Sequence, residues 1–204
     1  ETDTIIVNKK MEPLLLKKNA SFIPCGVDSK LFYPIDKMEA RNQLTQSGVI
    51  NFEEDKKYLL FSSAFNKEVK NPELAKSAIK ELGPGYQLIE LKGYNRDQVR
   101  LLLNAVDACL LTSHSEGSPQ FIKEAMACNR PLVSTDVGDV AQITKDITGC
   151  FVVKSNKQDV MEGIRQAVAV EVTNGRYRIE QEYENEQIVE QLKSVYRKVL
   201  NPTK

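Results

Sequence analysis

Short apolar runs alternate with amphipathic segments between residues 58 and 170 of the chain. The runs have the length of buried strands, and most segments between them have about ten residues at helical spacing. Strands joined by helices run parallel, and the helices then cover both faces of the sheet. We therefore predict an α/β fold, a Rossmann-like doubly wound parallel sheet with helices on both faces. The predicted strands span 58–63, 86–91, 108–111, 131–134 and 150–153, and the predicted helices span 37–47, 71–82, 95–105, 119–128, 140–144 and 156–170.

The two ends of the chain differ from this pattern. Residues 4–7 form a β-branched run, a helix-like segment continues to Lys18, and another apolar piece covers 21–24. The chain opens inside a strand pattern, so we expect residues 1–20 to end a preceding domain or linker of a longer protein, and 21–175 to form the Rossmann-like domain. Residues 176–204 are a C-terminal helical segment whose apolar spacing breaks near 183–186, which predicts two helices or one kinked helix. This segment either caps the domain or crosses to a neighbouring one.

Composition excludes several classes of protein. Lys plus Arg and Asp plus Glu both number 28, so nothing indicates a nucleic-acid-binding face. The four cysteines lack a short metal-ligand spacing, and a single histidine, His114, rules out a His-based metal cluster. We expect reduced thiols and a cytoplasmic protein, since the sequence has neither a signal-peptide pattern nor an apolar run of membrane-spanning length.

The stretch 107–135, DACLLTSHSEGSPQFIKEAMACNRPLVST, contains the main candidate site. It predicts a strand, a polar loop, a helix and a second strand. We expect Ser118 to cap the helix with its hydroxyl and Pro119 to take the first helical position. The free N–H groups of a helix N-terminus at the carboxyl end of a strand suit a phosphate group.

Two carboxylates bracket this feature. Glu116 lies in the loop, and Glu124 follows eight positions later on the helix, where it shares a face with Gln120. An ionised carboxylate holds vicinal hydroxyls well, because it accepts two hydrogen bonds. The pair therefore predicts a site for a phosphorylated compound that also carries sugar hydroxyls. Lys123, between them, is expected to lie on the solvated helix surface.

The segments IPCGVD, SEGSPQFIKEAMAC, STDVGDV and TGCFVV, in this order, resemble the C-terminal, donor-binding half of a retaining GT-B glycosyltransferase of family four. Glu116 and Glu124 match that family's E-x7-E motif. The resemblance covers residues 21–200, and residues 4–18 resemble the last strand and helix of the family's N-terminal half. It implies transfer of a glycosyl group, with retention, from a nucleotide sugar to an acceptor hydroxyl, in polysaccharide or glycoconjugate biosynthesis.

The resemblance also implies roles for individual residues. Glu116 is the catalytic candidate and would hold hydroxyls of the donor hexose, with His114 beside it in the sugar pocket. Glu124 would hold the ribose hydroxyls, and Lys70 in the VKNP segment would bind phosphate. Backbone groups of the LKGY segment at Gly93 and Tyr94 would hold the nucleobase. The residues whose backbone would face the diphosphate are Gly117, Ser118, Pro119 and Gln120.

The implied ligands are equally specific. The donor would be a UDP- or GDP-linked hexose, and neither a metal nor another cofactor is expected. The acceptor, a glycan or a lipid-linked molecule, would bind through an N-terminal domain that this chain lacks. Any peripheral association with the inner face of the membrane would depend on that domain, and the chain alone is expected to be inactive.

One departure from the family pattern keeps alternatives open. The family has a glycine and an arginine directly after the first strand of this domain, whereas residues 61–65 are FSSAF. Lys67 is a candidate substitute, although an ammonium cannot form the two-pronged contact of a guanidinium. The alternatives are a GT-B nucleotide-sugar epimerase, which would need no acceptor, and a non-catalytic nucleotide-binding module.

Overall fold

The computed structural model describes residues 4–15, 20–170 and 172–200. Its centre is a five-stranded parallel sheet in which residues 86–90, 57–61, 108–111, 132–135 and 150–153 lie side by side in this order. Each strand follows the previous one through a helical crossover, as the alternating pattern predicts. The strands are β1 (Thr4–Ile6), β2 (Ala20–Phe22), β3 (Lys57–Phe61), β4 (Tyr86–Glu90), β5 (Ala108–Leu111), β6 (Leu132–Thr135) and β7 (Cys150–Val153).

The α-helices lie close to their predicted positions. They are α1 (Lys37–Gln46), α2 (Pro72–Leu82), α3 (Arg96–Ala105), α4 (Gln120–Ala127), α5 (Val140–Ile143), α6 (Lys157–Val168), α7 (Gly175–Arg178) and α8 (Asn185–Leu200). A π-helical turn, Ile179–Tyr183, joins α7 to α8, and Glu184 is extended, so the predicted break in the last segment is confirmed.

Helices cover both faces of the sheet, and each face has its own core. Leu44 of α1, Leu102 of α3 and Ile122 of α4 pack in one cluster of buried side chains. Ile79 of α2 and Ile164 of α6 pack in the other. The side chains of β5 are buried on both faces, which explains why this strand is apolar throughout. The doubly wound parallel sheet predicted from the sequence is therefore confirmed.

The N-terminal segment forms a small parallel sheet of its own. β1 pairs with β2 in the register Ile5↔Ser21, and a 3₁₀ helix, Lys9–Leu14, lies between them. The expected helix is therefore a 3₁₀ turn that begins at Lys9 and ends at Leu14, and Leu15 is extended. Residues 16–18 of the predicted helix lie outside the described residues.

The strand order reverses direction at β3. From β3 the chain crosses first to β4 on one side and then to β5 on the other, and both neighbours are parallel to β3. Crossovers that leave in opposite directions open a crevice at the carboxyl ends of the two central strands, and ligands of doubly wound sheets bind there. The loops after β3 and β5 border this crevice.

At the opposite end of these strands, the buried Asp107 fixes β5 against β3. Its carboxylate accepts hydrogen bonds from the backbone N–H of Tyr58 at 2.8 Å and from the Arg41 guanidinium at 3.0 Å. The side chains of Arg41 and Asp107 are only 11% and 5% exposed. Lys37 Nζ donates to the other oxygen of this carboxylate at 3.2 Å. Because Arg41 is buried, removing the carboxylate would leave the guanidinium charge without an anionic partner and poorly hydrated.

We expect Asp107→Ala to lower the free energy of unfolding by about 3–5 kcal/mol, because it leaves the Arg41 charge buried without its carboxylate. Chemical denaturation followed by circular dichroism measures this change. Lys57→Ala is the matched control, since Lys57 is half exposed and lies 3.8 Å from the same carboxylate. The control should cost less than about 1 kcal/mol, and a similarly small loss for Asp107→Ala would contradict the assignment.

Candidate functional site

The loops that follow β3 and β5 are tied together at the crevice. The Thr112 hydroxyl lies 2.8 Å from the carbonyl oxygen of Asn71 and 3.2 Å from that of Lys70. The backbone N–H of His114 donates to the carbonyl of Val69 at 2.9 Å. Residues 69–71, which precede α2, are thereby held against residues 112–114, which follow β5. The contacts bring Lys70, His114 and Glu116 to the same edge of the sheet.

Lys70 and Glu116 form an ion pair in this crevice. Lys70 Nζ lies 2.6 Å from Glu116 Oε1, and the two side chains are 26% and 12% exposed. The Ser113 hydroxyl donates to the same Oε1 at 2.6 Å. Two donors thus fix one carboxylate oxygen, while Oε2 accepts no hydrogen bond from the described residues. That second oxygen is available to accept hydrogen bonds from the hydroxyls of a ligand.

The helix that follows this loop begins one residue later than the sequence predicts. Gln120 is the first residue of α4 and Pro119 occupies the cap position, where a proline makes no side-chain cap. The prediction that the Ser118 hydroxyl caps the helix is wrong, because that hydroxyl donates to Asp139 Oδ2 at 2.6 Å. Pro119 itself has no N–H to offer.

Unpaired amides nevertheless gather at the start of α4. Among the described residues, none accepts a hydrogen bond from the backbone N–H of Gly117, Ser118 or Gln120. The first N–H groups of a helix are left without intrahelical partners and carry the positive end of the helix dipole. This loop therefore presents donors that suit an anion, next to the Lys70 ammonium.

Gly138 supports the loop from the turn after β6. Its φ of +56° lies in the left-handed region that favours glycine, and a Cβ at this position would lie 2.3 Å from the carbonyl oxygen of Gly117 and 3.0 Å from that of Glu116. Residues 138 and 139 form a tight turn. The absence of a side chain allows the two backbones to pack directly on each other.

A pocket of about 310 Å³ lies beside Glu116, between this loop and the segment that follows β1. Asn8 Nδ2 donates to the carbonyl of Gly117 at 2.7 Å, and Lys10 pairs with Asp136 at 2.8 Å. His114 is exposed on the pocket wall. The N-terminal segment thus forms the second wall of this pocket.

Pocket volume alone does not select this site. A pocket of about 430 Å³ lies along the edge strand β7, and another of about 340 Å³ lies near Arg130, before β6 begins. Neither is at the carboxyl ends of β3 and β5, where the paired charges and unpaired amides meet. The crevice is the candidate site because its charges and free amides suit a ligand, and because ligands of doubly wound sheets bind at this position in the topology.

The remaining predicted residues lie on the neighbouring elements. Burial raises the pKa of Glu124 on α4, and the positive charges of Arg96 and Lys123 offset this only in part. Gly93 follows β4 with a φ of +80°, and Tyr94 packs against the core. In the described part of the chain, Glu124 makes no hydrogen bond to Glu116 or Lys70, and the nearby charge that acts on it most is that of Arg96 at the start of α3.

Several residues of the site were not found from the sequence. Ser113 stands at the end of an apolar strand, and only its spacing of three residues from Glu116 could have indicated the contact. Lys123 is fully buried, so the prediction of a solvated surface position is wrong. Its ammonium donates to the Ser118 hydroxyl. Asp139, next to Gly138, completes this contact from a distant part of the sequence.

The residues that the structure describes bring together no cluster of three or more His, Cys, Asp or Glu side chains that could bind a metal ion. None of the helices in residues 4–15, 20–170 and 172–200 combines the length and the apolar character that a membrane crossing requires.

The architecture is the one expected for the C-terminal half of a GT-B glycosyltransferase, and solved structures share it. Sucrose-phosphate synthase from Thermosynechococcus elongatus aligns over 97% of this chain and 58% of its own, at 19% identity and a TM-score of 0.76. A glycosyltransferase from Rickettsia africae aligns over 99% of this chain and 64% of its own, at 13% identity and a TM-score of 0.77. HepE from Anabaena, in complex with UDP and glucose, aligns over 95% of this chain and 62% of its own, at 17% identity and a TM-score of 0.76.

At these identities the structural likeness shows the fold alone, and the chain spans about three fifths of the length of each structure. Sequence establishes the family. Residues 54–169, more than half of the chain, match the family described as glycosyl transferases group 1. The chain belongs to this family. None of the curated proteins matches it in sequence.

The burial of Glu124 leads to a prediction about stability and pH. Because folding raises its pKa above the ordinary value near 4.5, the ionised form destabilises the folded state. This cost is absent below about pH 4.5 and grows as the pH rises through the raised pKa. Glu124→Gln should therefore stabilise the protein at pH 7, and the gain should disappear at pH 4, as measured by denaturation at both values.

The control for this experiment is Glu73→Gln on α2, because the Glu73 side chain is 81% exposed. Its stability should change by less than about 0.5 kcal/mol at either pH. Loss of stability in Glu124→Gln at pH 7 would show that the ionised carboxylate has a partner that stabilises it.

Proposed function

We propose that this chain provides the donor site of a retaining glycosyltransferase, which transfers a hexosyl group from a UDP- or GDP-linked sugar to an acceptor hydroxyl. The observation that carries the proposal is the contact between Lys70 and Glu116 beside the unpaired amides of the loop before α4. A cation and a set of N–H donors suit a diphosphate. A carboxylate with one unoccupied oxygen, directly adjacent, suits the hydroxyls of the sugar that the diphosphate carries.

The strand order supports a specific layout for the donor. β4, β3 and β5 are adjacent and parallel, so the loops after them lie side by side at one edge of the sheet. The nucleobase would lie at Gly93 and Tyr94 after β4, with the ribose at Glu124. The diphosphate would lie at Lys70 and the loop amides, and the hexose at Glu116 and His114. A nucleotide sugar carries its parts in this same order.

The proposed chemistry relies on electrostatics. When the bond between the sugar and the diphosphate breaks, negative charge develops on the departing phosphate oxygens. Lys70 and the amides of Gly117, Ser118 and Gln120 would stabilise this charge from fixed positions. Glu116 would keep the sugar ring oriented through its hydroxyls. The acceptor oxygen would bond to the sugar carbon that the diphosphate leaves, and its proton would pass to a departing phosphate oxygen. Retention and independence from a metal are taken from the family resemblance.

The acceptor would enter through the pocket between Glu116 and the segment after β1. The proposal places most of its binding site in a domain outside this chain, as the family resemblance implies. That acceptor would be a glycan or a lipid-linked molecule used in the biosynthesis of polysaccharides or glycoconjugates. Any contact of the protein with a membrane surface would be made through the same domain.

One observation favours a second candidate, a module that binds nucleotide without transferring sugar. The loop after β3 has Ser62, Ser63 and Ala64 where the resemblance implies a glycine and an arginine. Lys67 is exposed, and its side chain makes no ion pair within the described residues. The diphosphate would then be held by Lys70 and backbone groups with less positive charge than in relatives that keep the arginine.

Calorimetric titration with UDP, GDP and inorganic phosphate tests the proposed site. We expect one nucleoside diphosphate to bind, with Lys70→Ala weakening it by about 1–3 kcal/mol through loss of a charge-assisted hydrogen bond. Lys80→Ala is the control, because it removes an exposed lysine of α2, and it should bind like the unmodified chain. Added chelator should leave the affinity unchanged. Equal binding by Lys70→Ala and the unmodified chain would refute the role of Lys70.

Incubation of the chain with a UDP-hexose or GDP-hexose tests the epimerase alternative and the expected absence of transfer. We expect binding without turnover, because the acceptor site lies outside the chain in this proposal. Nuclear magnetic resonance of the sugar measures the outcome. Formation of an epimer from donor alone would identify an epimerase, and rapid glycosyl transfer by these 204 residues would contradict the location of the acceptor site.

A further inference from the structure

A buried lysine lies directly behind the loop that precedes α4. Lys123 has no exposed surface, and its ammonium lies 5.7 Å from the centre of the Tyr183 ring. Burial lowers its pKa. A buried charge is costly even when it is paired, and an apolar side chain of similar volume is often as stable or more stable. The packing of α4 alone does not explain a lysine at this position.

The partners of Lys123 connect it to the loop. Its ammonium donates to the Ser118 hydroxyl, which in turn donates to Asp139 Oδ2 at 2.6 Å. Ser118 and Asp139 are 8% and 4% exposed, so the whole chain of contacts is excluded from water. One hydroxyl therefore bridges a buried cation and a buried carboxylate. We call Lys123, Ser118 and Asp139 the buried bridge.

The buried bridge joins three separate parts of the site. Lys123 is on α4, Ser118 is in the loop with the unpaired amides, and Asp139 follows the glycine that packs under Gly117. In the described residues, the backbone N–H of Ser118 has no acceptor, so its side chain is what anchors this residue to the protein. This side chain and the contact from Asn8 Nδ2 to the Gly117 carbonyl thus hold the loop, while its N–H groups stay available.

We propose that the buried bridge is a positioning network that fixes the amides of Gly117, Ser118 and Gln120 for the diphosphate of the donor. This inference rests on the proposed function. Lys123 and Asp139 act through Ser118 and do not contact the donor, so they are positioning residues. A charged bridge serves this purpose because its hydrogen bonds are directional, whereas an apolar filling would leave the loop free to shift by fractions of an ångström.

The test separates the positioning role from a role in stability. Lys123→Met/Asp139→Leu replaces both charges with apolar side chains, and the folded protein should keep its melting temperature within a few degrees or gain stability. Backbone ¹⁵N relaxation should nevertheless show that the amides at 117, 118 and 120 lose order, from about 0.85 towards 0.6 in order parameter. Affinity for the nucleoside diphosphate should fall roughly tenfold or more, as expected for a misplaced site.

Arg41→Met is the matched control, because it removes another buried cation at the opposite end of the sheet. It should lower the melting temperature and leave the loop order and the nucleotide affinity unchanged. If the double variant does not fold, Ser118→Ala removes only the bridging hydroxyl and should lower the same order parameters.

Unchanged order in either folded variant of the buried bridge overturns the inference. Lost order with full nucleotide affinity overturns its link to the diphosphate. Failure of the unmodified chain to bind any nucleoside diphosphate would count against the proposed function instead, while the order parameters would still decide whether the buried bridge positions the loop.

Discussion

The parallel pairing of β3 with β5, with β4 on the other side of β3, is the constraint on which the candidate site depends. It opens the crevice at the carboxyl ends of the two strands, and its register sets which residues face each other across it. Leu59 pairs with Ala108 and Phe61 with Leu110. A slip of one residue would exchange the two faces of β5 and move every side chain of the following loop. Asp107, which binds the N–H of Tyr58 at the other end, opposes such a slip.

The sequence was most informative where one local pattern decides the structure. The strands at 108–111 and 150–153 have the predicted bounds, because short β-branched and apolar runs between turns leave few alternatives. The doubly wound sheet follows from the alternation of such runs with helices. The family was identified from motifs whose order and spacing are specific. The proximity of Lys70 and Glu116 follows from topology, since both residues come after central strands of one parallel sheet.

Other features depend on contacts between distant segments, and local patterns do not encode them. Ser118 has the residue type of a helix cap, but Asp139 takes its hydroxyl from 21 positions away. Lys123 has the residue type of a helix surface, but Ser118 and Tyr183 surround it with partners. In both cases tertiary contacts override a correct statement about intrinsic preference. The binding roles of all the site residues remain predictions, and for Glu124, Gly93 and Tyr94 no contact with the rest of the site brings them together.

The close packing of Gly138 under the loop has a consequence for how this site can evolve. Because even a methyl group would collide with the carbonyl of Gly117, no substitution at this position is tolerated without moving the loop. Any larger residue at position 138 is therefore excluded by the steric clash, whatever the chemistry of its side chain. The exposed pocket wall around His114 has no such restriction. Under the proposed function, changes in sugar preference are accordingly expected to arise from the wall, while the turn below it stays the same.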